Sequence, residues 1–363
     1  MKIVVSGYYG SKNGGDEAML AAMLEVLREE ISDLQVTVIS LNPEYTRRRH
    51  NVEAVPMADI FSIIKKIRAA DLLISGGGSL LQNVTSGRSL YYYLTIIFFA
   101  LALGRKVMLY AQGIGPIRGF LAHKLMNLII NRVDLITVRD RGSLEELERL
   151  KITRPKIFCT ADPVLAIKPA PSEIGEEILA HHGIKKSDGK FIGVAVRHWL
   201  GWGKFQMELA AALDKIIDAT DAKIIFIPMK FPEDIRSAAQ TAELMKKKCV
   251  VFEEEFTTQE ILSLVGCMDL LIGVRLHALI FAGVTGVPML GISYDPKIER
   301  FLDSIGDKPL GSMASVTADE IFNATLKKLS EHKNLPDDRL LKKLSSLARQ
   351  NAKLAVALAE EKK

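Results

Sequence analysis

The chain predicts two consecutive doubly wound α/β domains, and three observations carry that expectation. At 363 residues it exceeds the length over which one hydrophobic core keeps growing. Short apolar runs alternate with longer helix-period stretches, as in parallel sheets with crossover helices. That alternation pauses once, at a proline-bearing segment, and then resumes. The first set of strand-like runs falls at 2–6, 35–40, 71–75, 106–111, 134–138 and 156–159, giving a first domain over residues 1–168. Pro169 and Pro171 fix φ and remove amide donors, so their segment suits a linker. A second domain over 169–335 follows, with runs at 191–196, 223–228, 250–252, 270–273 and 288–292. Thr257 with Glu260 and Thr317 with Glu320 have the spacing of capping boxes, marking two helix starts. Leu340, Leu344, Leu347, Leu354 and Leu358 recur at helical spacing, predicting a helix within 336–363 whose apolar stripe packs back on the first domain.

Composition narrows the class. With 48% hydrophobic and 25% charged residues the chain reads as an ordinary globular protein. The net charge is only +5 and the basic residues are scattered, apart from Arg47-Arg48-Arg49-His50 and Lys246-Lys247-Lys248, so nucleic acid is not an expected partner. The Arg47 triplet reads as a solvated loop, with an anionic membrane surface as the sharper alternative. Cys159, Cys249 and Cys267 are odd in number and far apart, which argues against a zinc knuckle or a disulfide framework and for a reducing compartment. The N-terminus enters a strand at once and lacks signal-peptide features, so a cytoplasmic location is expected. The apolar run 90–103 falls short of the roughly 20 residues a spanning helix needs. It reads as a buried core helix, and its aromatics leave peripheral membrane contact as an alternative.

Chemistry concentrates at strand ends. In the stretch Leu270-Leu-Ile-Gly-Val-Arg275-Leu-His277, an arginine and a histidine sit between an apolar strand and a small-residue helix. α/β proteins keep ligands at such places. A guanidinium fork, a group titrating near neutrality and helix N-terminal amides together suit a small polyanion. Arg197 follows the run 191–196 in the same way, and Lys297 follows Tyr294-Asp295-Pro296 after the run 288–292. A lone histidine beside a strand is usually a packing residue; here the flanking Arg275 weighs for function. Lys297 could equally be a surface lysine, and Trp199 and Trp202 either stack on a sugar or pack a loop. In the first domain, Asp16 follows Asn13-Gly14-Gly15 and is expected to cap the next helix, with general base or hydroxyl binding as its functional alternative. Gly76-Gly77-Gly78 would leave backbone bare for a sugar or phosphate, or else form a tight strand-to-helix turn. Arg139, Asp140 and Asp162 read first as local pairs, with Arg139 the best candidate for an acceptor phosphate. No dinucleotide or Walker fingerprint occurs, so NAD and ATP are not expected. No metal-ligand spacing or G-x-S-x-G elbow occurs, which predicts catalysis without a metal or a covalent serine intermediate.

The loop Gly10 to Glu17, Ser75-Gly-Gly-Gly-Ser79, Gln112-Gly-Ile-Gly115-Pro116, Val138-Arg139-Asp140, Arg197 and Arg275-Leu276-His277 occur in this order along nearly the whole chain. On these motifs the sequence resembles the polysaccharide pyruvyl transferase family, and within it the bacterial cell-wall members that modify a lipid-linked secondary wall polymer precursor. The resemblance implies a GT-B-like architecture, with two Rossmann-like domains facing a cleft. It implies phosphoenolpyruvate as donor, held by Arg197, Arg275, Leu276 and Lys297, with His277 donating a proton or gripping the departing phosphate. Two arginine forks and a lysine would match the carboxylate and phosphate of that donor. Asp16 becomes the second catalytic residue, and Asn13, Gly77, Gly78, Gln112 and Arg139 bind the acceptor. The acceptor implied is an N-acetylmannosamine-type residue on an undecaprenyl-diphosphate-linked saccharide, which receives a 4,6-ketal in a pathway serving S-layer anchoring. No cofactor is implied, and the oligomeric state is not legible. Two rival readings stand beside it: a nucleotide-sugar glycosyltransferase or epimerase of the same architecture, and a non-catalytic saccharide-binding module.

Overall fold

The computed structural model describes residues 1–84, 87–199, 202–331 and 337–361. It divides into two compact units, Met1–Ile167 with Leu344–Lys363, and Lys168–Lys343. The expected break at 335/336 lies outside the described residues.

The first unit runs β1 (Lys2–Tyr9), α1 (Gly14–Glu30), β2 (Gln35–Ser40), α2 (Pro43–His50), β3 (Glu53–Pro56), α3 (Ile60–Ala69), β4 (Leu72–Leu81), α4 (Gly87–Ala102), β5 (Lys106–Ile114), α5 (Phe120–Ile130), β6 (Leu135–Val138), α6 (Arg141–Arg149) and β7 (Lys156–Cys159). Its seven strands are parallel in the order β3-β2-β1-β4-β5-β6-β7. The chain winds outward from β1 to β3 and re-enters beside β1 as β4, so the order reverses between β1 and β4. β3 escapes sequence reading because it is a four-residue edge strand with only Ala54 and Val55 buried. β4 and β5 outrun their apolar patterns because their glycine-rich continuations stay paired, Gly78 with Gln112 and Leu81 with Ile114. Helices α3, α4, α5 and α6 share one core cluster, through Ile63, Ile67, Ile97, Met126, Ile130 and Leu147 among others, and so form one layer. The Arg47 triplet is not a loop: it is the last turn of α2, a helix started by the Asn42 cap and Pro43.

The second unit runs α7 (Ser172–His181), β8 (Phe191–Ala195), α8 (Trp202–Thr220), β9 (Lys223–Phe226), α9 (Glu233–Leu244), β10 (Val250–Val251), α10 (Thr258–Gly266), β11 (Leu270–Gly273), α11 (Leu276–Thr285), β12 (Met289–Gly291), α12 (Pro296–Ser304) and α13 (Ala318–Ser330). Five parallel strands lie in the order β10-β9-β8-β11-β12, reversing between β8 and β11. Both capping boxes form, at the starts of α10 and α13.

The last helix, α14 (Asp338–Glu360), buries Ala348, Asn351, Ala352, Ala355 and Leu358. Of the predicted leucine stripe only Leu358 is buried; Leu344, Leu347 and Leu354 stay half-exposed at the edge of a face centred on the alanines. Small alanines let the backbone approach until Asn351 meets Thr160 Oγ1 at 2.8 Å and Lys106 Nζ reaches the Leu358 carbonyl at 2.7 Å. Arg349 pairs with Glu29 of α1 on the same unit.

Candidate active site

In the second unit, Ala195 and Gly273 are registered partners at the ends of β8 and β11. Two residues past that pair come Arg197 and Arg275, so both arginines leave neighbouring strands at the point where strand order reverses. That is the ligand position of an open α/β sheet. The Arg197 guanidinium lies 4.7 Å from the Trp199 ring centre and 4.6 Å from that of Tyr294, and its Nη1 donates to the Tyr294 hydroxyl. The two rings are themselves 4.9 Å apart. Lys297, in the first turn of α12, sets its ammonium 5.6 Å from the same tyrosine ring and 3.2 Å from Asp295 Oδ2. Arg197 and Lys297 are thus brought together on Tyr294. Arg197 Nε is buried with no hydrogen-bond partner among the described residues, a donor of the kind an anionic ligand satisfies.

Arg275 departs from expectation. Its Nε donates to Asp234 Oδ2 at 2.9 Å and its Nη2 to Asp234 Oδ1, so one edge of the fork is occupied within the protein. Asp234 is buried in the first turn of α9 and also accepts the amides of Met229 and Lys230, at 3.2 and 2.9 Å. The carboxylate therefore aims Arg275 rigidly and leaves Nη1 to face outward chemistry. Arg275 is also the N-cap of α11, which starts with no side-chain cap. His277 is the second residue of that helix and half-buried. The Leu276 side chain belongs to the core, so only its backbone is available to a ligand. Trp202 is core as well, against Phe205, while Trp199 stays with Arg197.

The first unit has its own reversal, between β1 and β4. There Asn13, not Asp16, caps α1: its Oδ1 accepts from the Gly15 amide at 3.2 Å, and Asp16 sits in the first turn. The loop before it is held by Glu17, fully buried, which accepts the Gly10 amide at 2.8 Å and lies 2.8 Å from His50 Nε2. Gly77 and Gly78 are buried within β4 at φ of +21° and +81°. A Cβ on Gly77 would come 2.9 Å from Met19 Sδ, and one on Gly78 3.3 Å from Asp16 Oδ1. Their missing side chains thus admit α1. Gln112 is fully buried and donates to the carbonyls of Ser75 and Gly76 at 3.1 and 3.2 Å, so its amide shapes the glycine segment. Arg139 pairs with Asp162 at 2.8 Å and donates to Ser79 Oγ at 3.1 Å. Burial pushes the Tyr9 hydroxyl well above the usual tyrosine range, with the charges of Asp16 and Glu17 adding to it, so it stays neutral below Gly76. Asn13, Asp16 and Ser79 keep access to solvent at this reversal, as do Ser11 and Lys12 of the same loop.

Three residues here lay outside the sequence reading. Tyr294 stands between β12 and the start of α12, and Asp234 in the first turn of α9, helix-start positions that could have marked them. Glu17 closes the Gly10 to Glu17 motif, but its buried role was not legible in the sequence.

A family model described as polysaccharide pyruvyl transferase matches residues 13–296. The chain belongs to the polysaccharide pyruvyl transferase family. The matched span of this pyruvyl transferase family member contains β8 and β11 of the second reversal and β4 of the first, while β1 precedes it. It is 24% identical over 372 residues to the amylovoran biosynthesis protein AmsJ of Erwinia amylovora, covering 87% of this chain and 88% of that one. Solved structures of similar fold include a putative UDP-N-acetylglucosamine 2-epimerase from Listeria monocytogenes, with a TM-score of 0.67 at 11% identity over 96% of this chain and 94% of that one. The UDP-GlcNAc 2-epimerase from Methanocaldococcus jannaschii gives 0.66 at 15%, over 98% and 100%. The ADP-heptose heptosyltransferase II of E. coli gives 0.52 at 15%, over 91% and 99%. At such identities the likeness shows the fold alone, and that fold is GT-B-like with two Rossmann-like parallel-sheet units.

Proposed function

We propose that this transferase moves the pyruvyl group of phosphoenolpyruvate onto two hydroxyls of an envelope saccharide, forming a ketal and releasing phosphate. The observation that supports it most is the cationic group at the second unit's strand reversal. Arg197 and Lys297 meet on Tyr294 with a buried donor nitrogen to spare, and Arg275 is aimed by a buried carboxylate beside His277. A small, dense trianion such as phosphoenolpyruvate matches that charge, and guanidinium planes match its carboxylate and phosphate.

The chemistry asks for a proton at the donor's methylene carbon. His277 supplies it in this reading, which leaves C2 oxocarbenium-like and open to attack by the first sugar hydroxyl. That hydroxyl's proton passes to a base, the role proposed for Asp16. The C–O bond to phosphate then breaks, and the second hydroxyl closes the ketal. Of the two hydroxyl protons, one replaces the proton given to carbon and the other leaves with phosphate. General acid catalysis of this kind contributes about 10² to 10⁴ in rate.

For the acceptor, the motif resemblance to cell-wall members favours a 4,6-ketal on an N-acetylmannosamine-type residue of an undecaprenyl-diphosphate-linked saccharide, made in the cytoplasm. Incubating the protein with phosphoenolpyruvate and candidate saccharides, and searching by mass spectrometry for one added pyruvyl ketal alongside phosphate release, tests donor and acceptor together. The fold likeness to UDP-sugar enzymes supports a second reading, epimerisation or glycosyl transfer. Thermal protection by a UDP-sugar but not by phosphoenolpyruvate would select it.

A further inference from the structure

Residues 60–133 contain a single carboxylate, Asp71, and nine lysines and arginines. Asp71 sits at the start of β4, where its side chain accepts the Lys2 amide at 2.7 Å. The rest of this span supplies α3, α4 and α5, three neighbours in one helix layer. Each turns a similar stripe outward, at positions spaced three and four apart. On α3 it is Phe61, Lys65 and Arg68; on α4, Arg88, Tyr91, Thr95 and Phe98; on α5, Leu121, Lys124 and Leu128, followed by Arg132 in the turn after it. Phe61 is 90% exposed and Phe120, opening α5, is 85% exposed. Exposed apolar residues interleaved with unopposed cations are not the ordinary solvated helix face. The next helix of the same layer, α6, shows that face: Arg141 lies 3.6 Å from Glu145 and Arg149 2.6 Å from Glu146.

The position of the apolar groups adds direction. α3, α4 and α5 start at the carboxyl-terminal edge of the sheet and run back along it. Phe61, Val84, Phe120 and Leu121 therefore rim the same edge of the unit that carries Asn13, Asp16 and Ser79, with Lys65, Arg68, Lys124 and Arg132 further along the helices. None of the described helices is long and apolar enough to cross a membrane. Aromatic side chains seated at a headgroup boundary beside cations drawn to anionic lipid are the ingredients of interfacial binding.

We propose that the outer face of α3, α4 and α5 docks on the surface of an anionic lipid bilayer. Charge decides the occupant, since a second copy of this chain would bring the same uncompensated cations to the face. The inference rests on exposure and charge alone and stands apart from the donor and acceptor proposed above.

Co-sedimentation with vesicles of equal parts phosphatidylglycerol and phosphatidylethanolamine, against pure phosphatidylcholine, tests it. The full chain should pellet with the anionic vesicles only, and release as salt rises. Replacing Phe61, Phe120 and Leu121 together by serine should lower the bound fraction about tenfold with an unchanged melting temperature, since all three are exposed. Lys124→Glu with Arg132→Glu gives a second arm with the same expected loss. The proposal is overturned if neither vesicle is bound, if both variant sets bind like the parent, or if sedimentation velocity shows a dimer that the serine variant dissolves.

Discussion

Two residues past a registered strand pair, the second unit presents Arg197 and Arg275 at its β8/β11 reversal, with Lys297 gathered onto Tyr294 and His277 in the first turn of α11. The first unit has the same winding and the same kind of reversal, at β1/β4, yet offers Asn13, Asp16 and Ser79 to solvent while Gly77, Gly78, Gln112 and Glu17 are buried beneath. Topology chooses the place in both. Chemistry diverges because in the second unit the helices start with cations and aromatics, whereas in the first α1 presses so closely on β4 that only glycine fits. In the proposed reaction the second reversal is the donor side and the first the acceptor side.

That contrast can be broken by mutation. His277→Ala carries the largest expected effect, a fall in kcat of about 10² to 10⁴ in a continuous assay of phosphate release from phosphoenolpyruvate. Full activity would remove His277 from the reaction. Arg197→Lys comes next, because an ammonium cannot reproduce a guanidinium plane stacked on Trp199 and Tyr294; the donor KM should rise more than about tenfold while the acceptor KM stays put. Asp234→Asn should raise the donor Kd about tenfold by releasing Arg275 from its aim, as read by titration calorimetry, and an unchanged Kd would show that the pair is only structural. Asp16→Asn sharpens the comparison from the other side. It should leave donor affinity untouched and lower kcat by roughly tenfold or more, and a shift in donor affinity would join the two reversals functionally. The smallest effect expected is from a metal chelator, which should leave the rate unchanged if, as proposed, Arg197, Arg275 and Lys297 supply the donor's counter-charge.

Legibility followed the same divide. Arg197, Arg275, His277 and Lys297 could be placed at strand or helix ends because periodicity changes are local in the chain. What Arg275 bonds to could not, since its partner lies 41 residues away on α9. Gln112 was marked only by its family motif, and its enclosure was not legible because β5 continues past it. Asp16 lost the capping role to Asn13, whose helix starts two glycines earlier than an apolar pattern can reveal. The leucines of α14 were visible as a stripe, and the alanines that are buried were not, because burial of a small side chain depends on what approaches it.

From the order of residues alone came the two alternating halves, the break between them, both capping boxes and the six motifs that mark the family. Local period, helix-start chemistry and linear spacing are properties of neighbouring residues, and they survive without a fold. Tertiary structure decided the Asp234 clamp, the Tyr294 platform, the glycine contacts with α1 and the alignment of three acid-free helix faces into one surface. Each of these joins elements far apart in the chain, and only packing brings such groups within bonding distance.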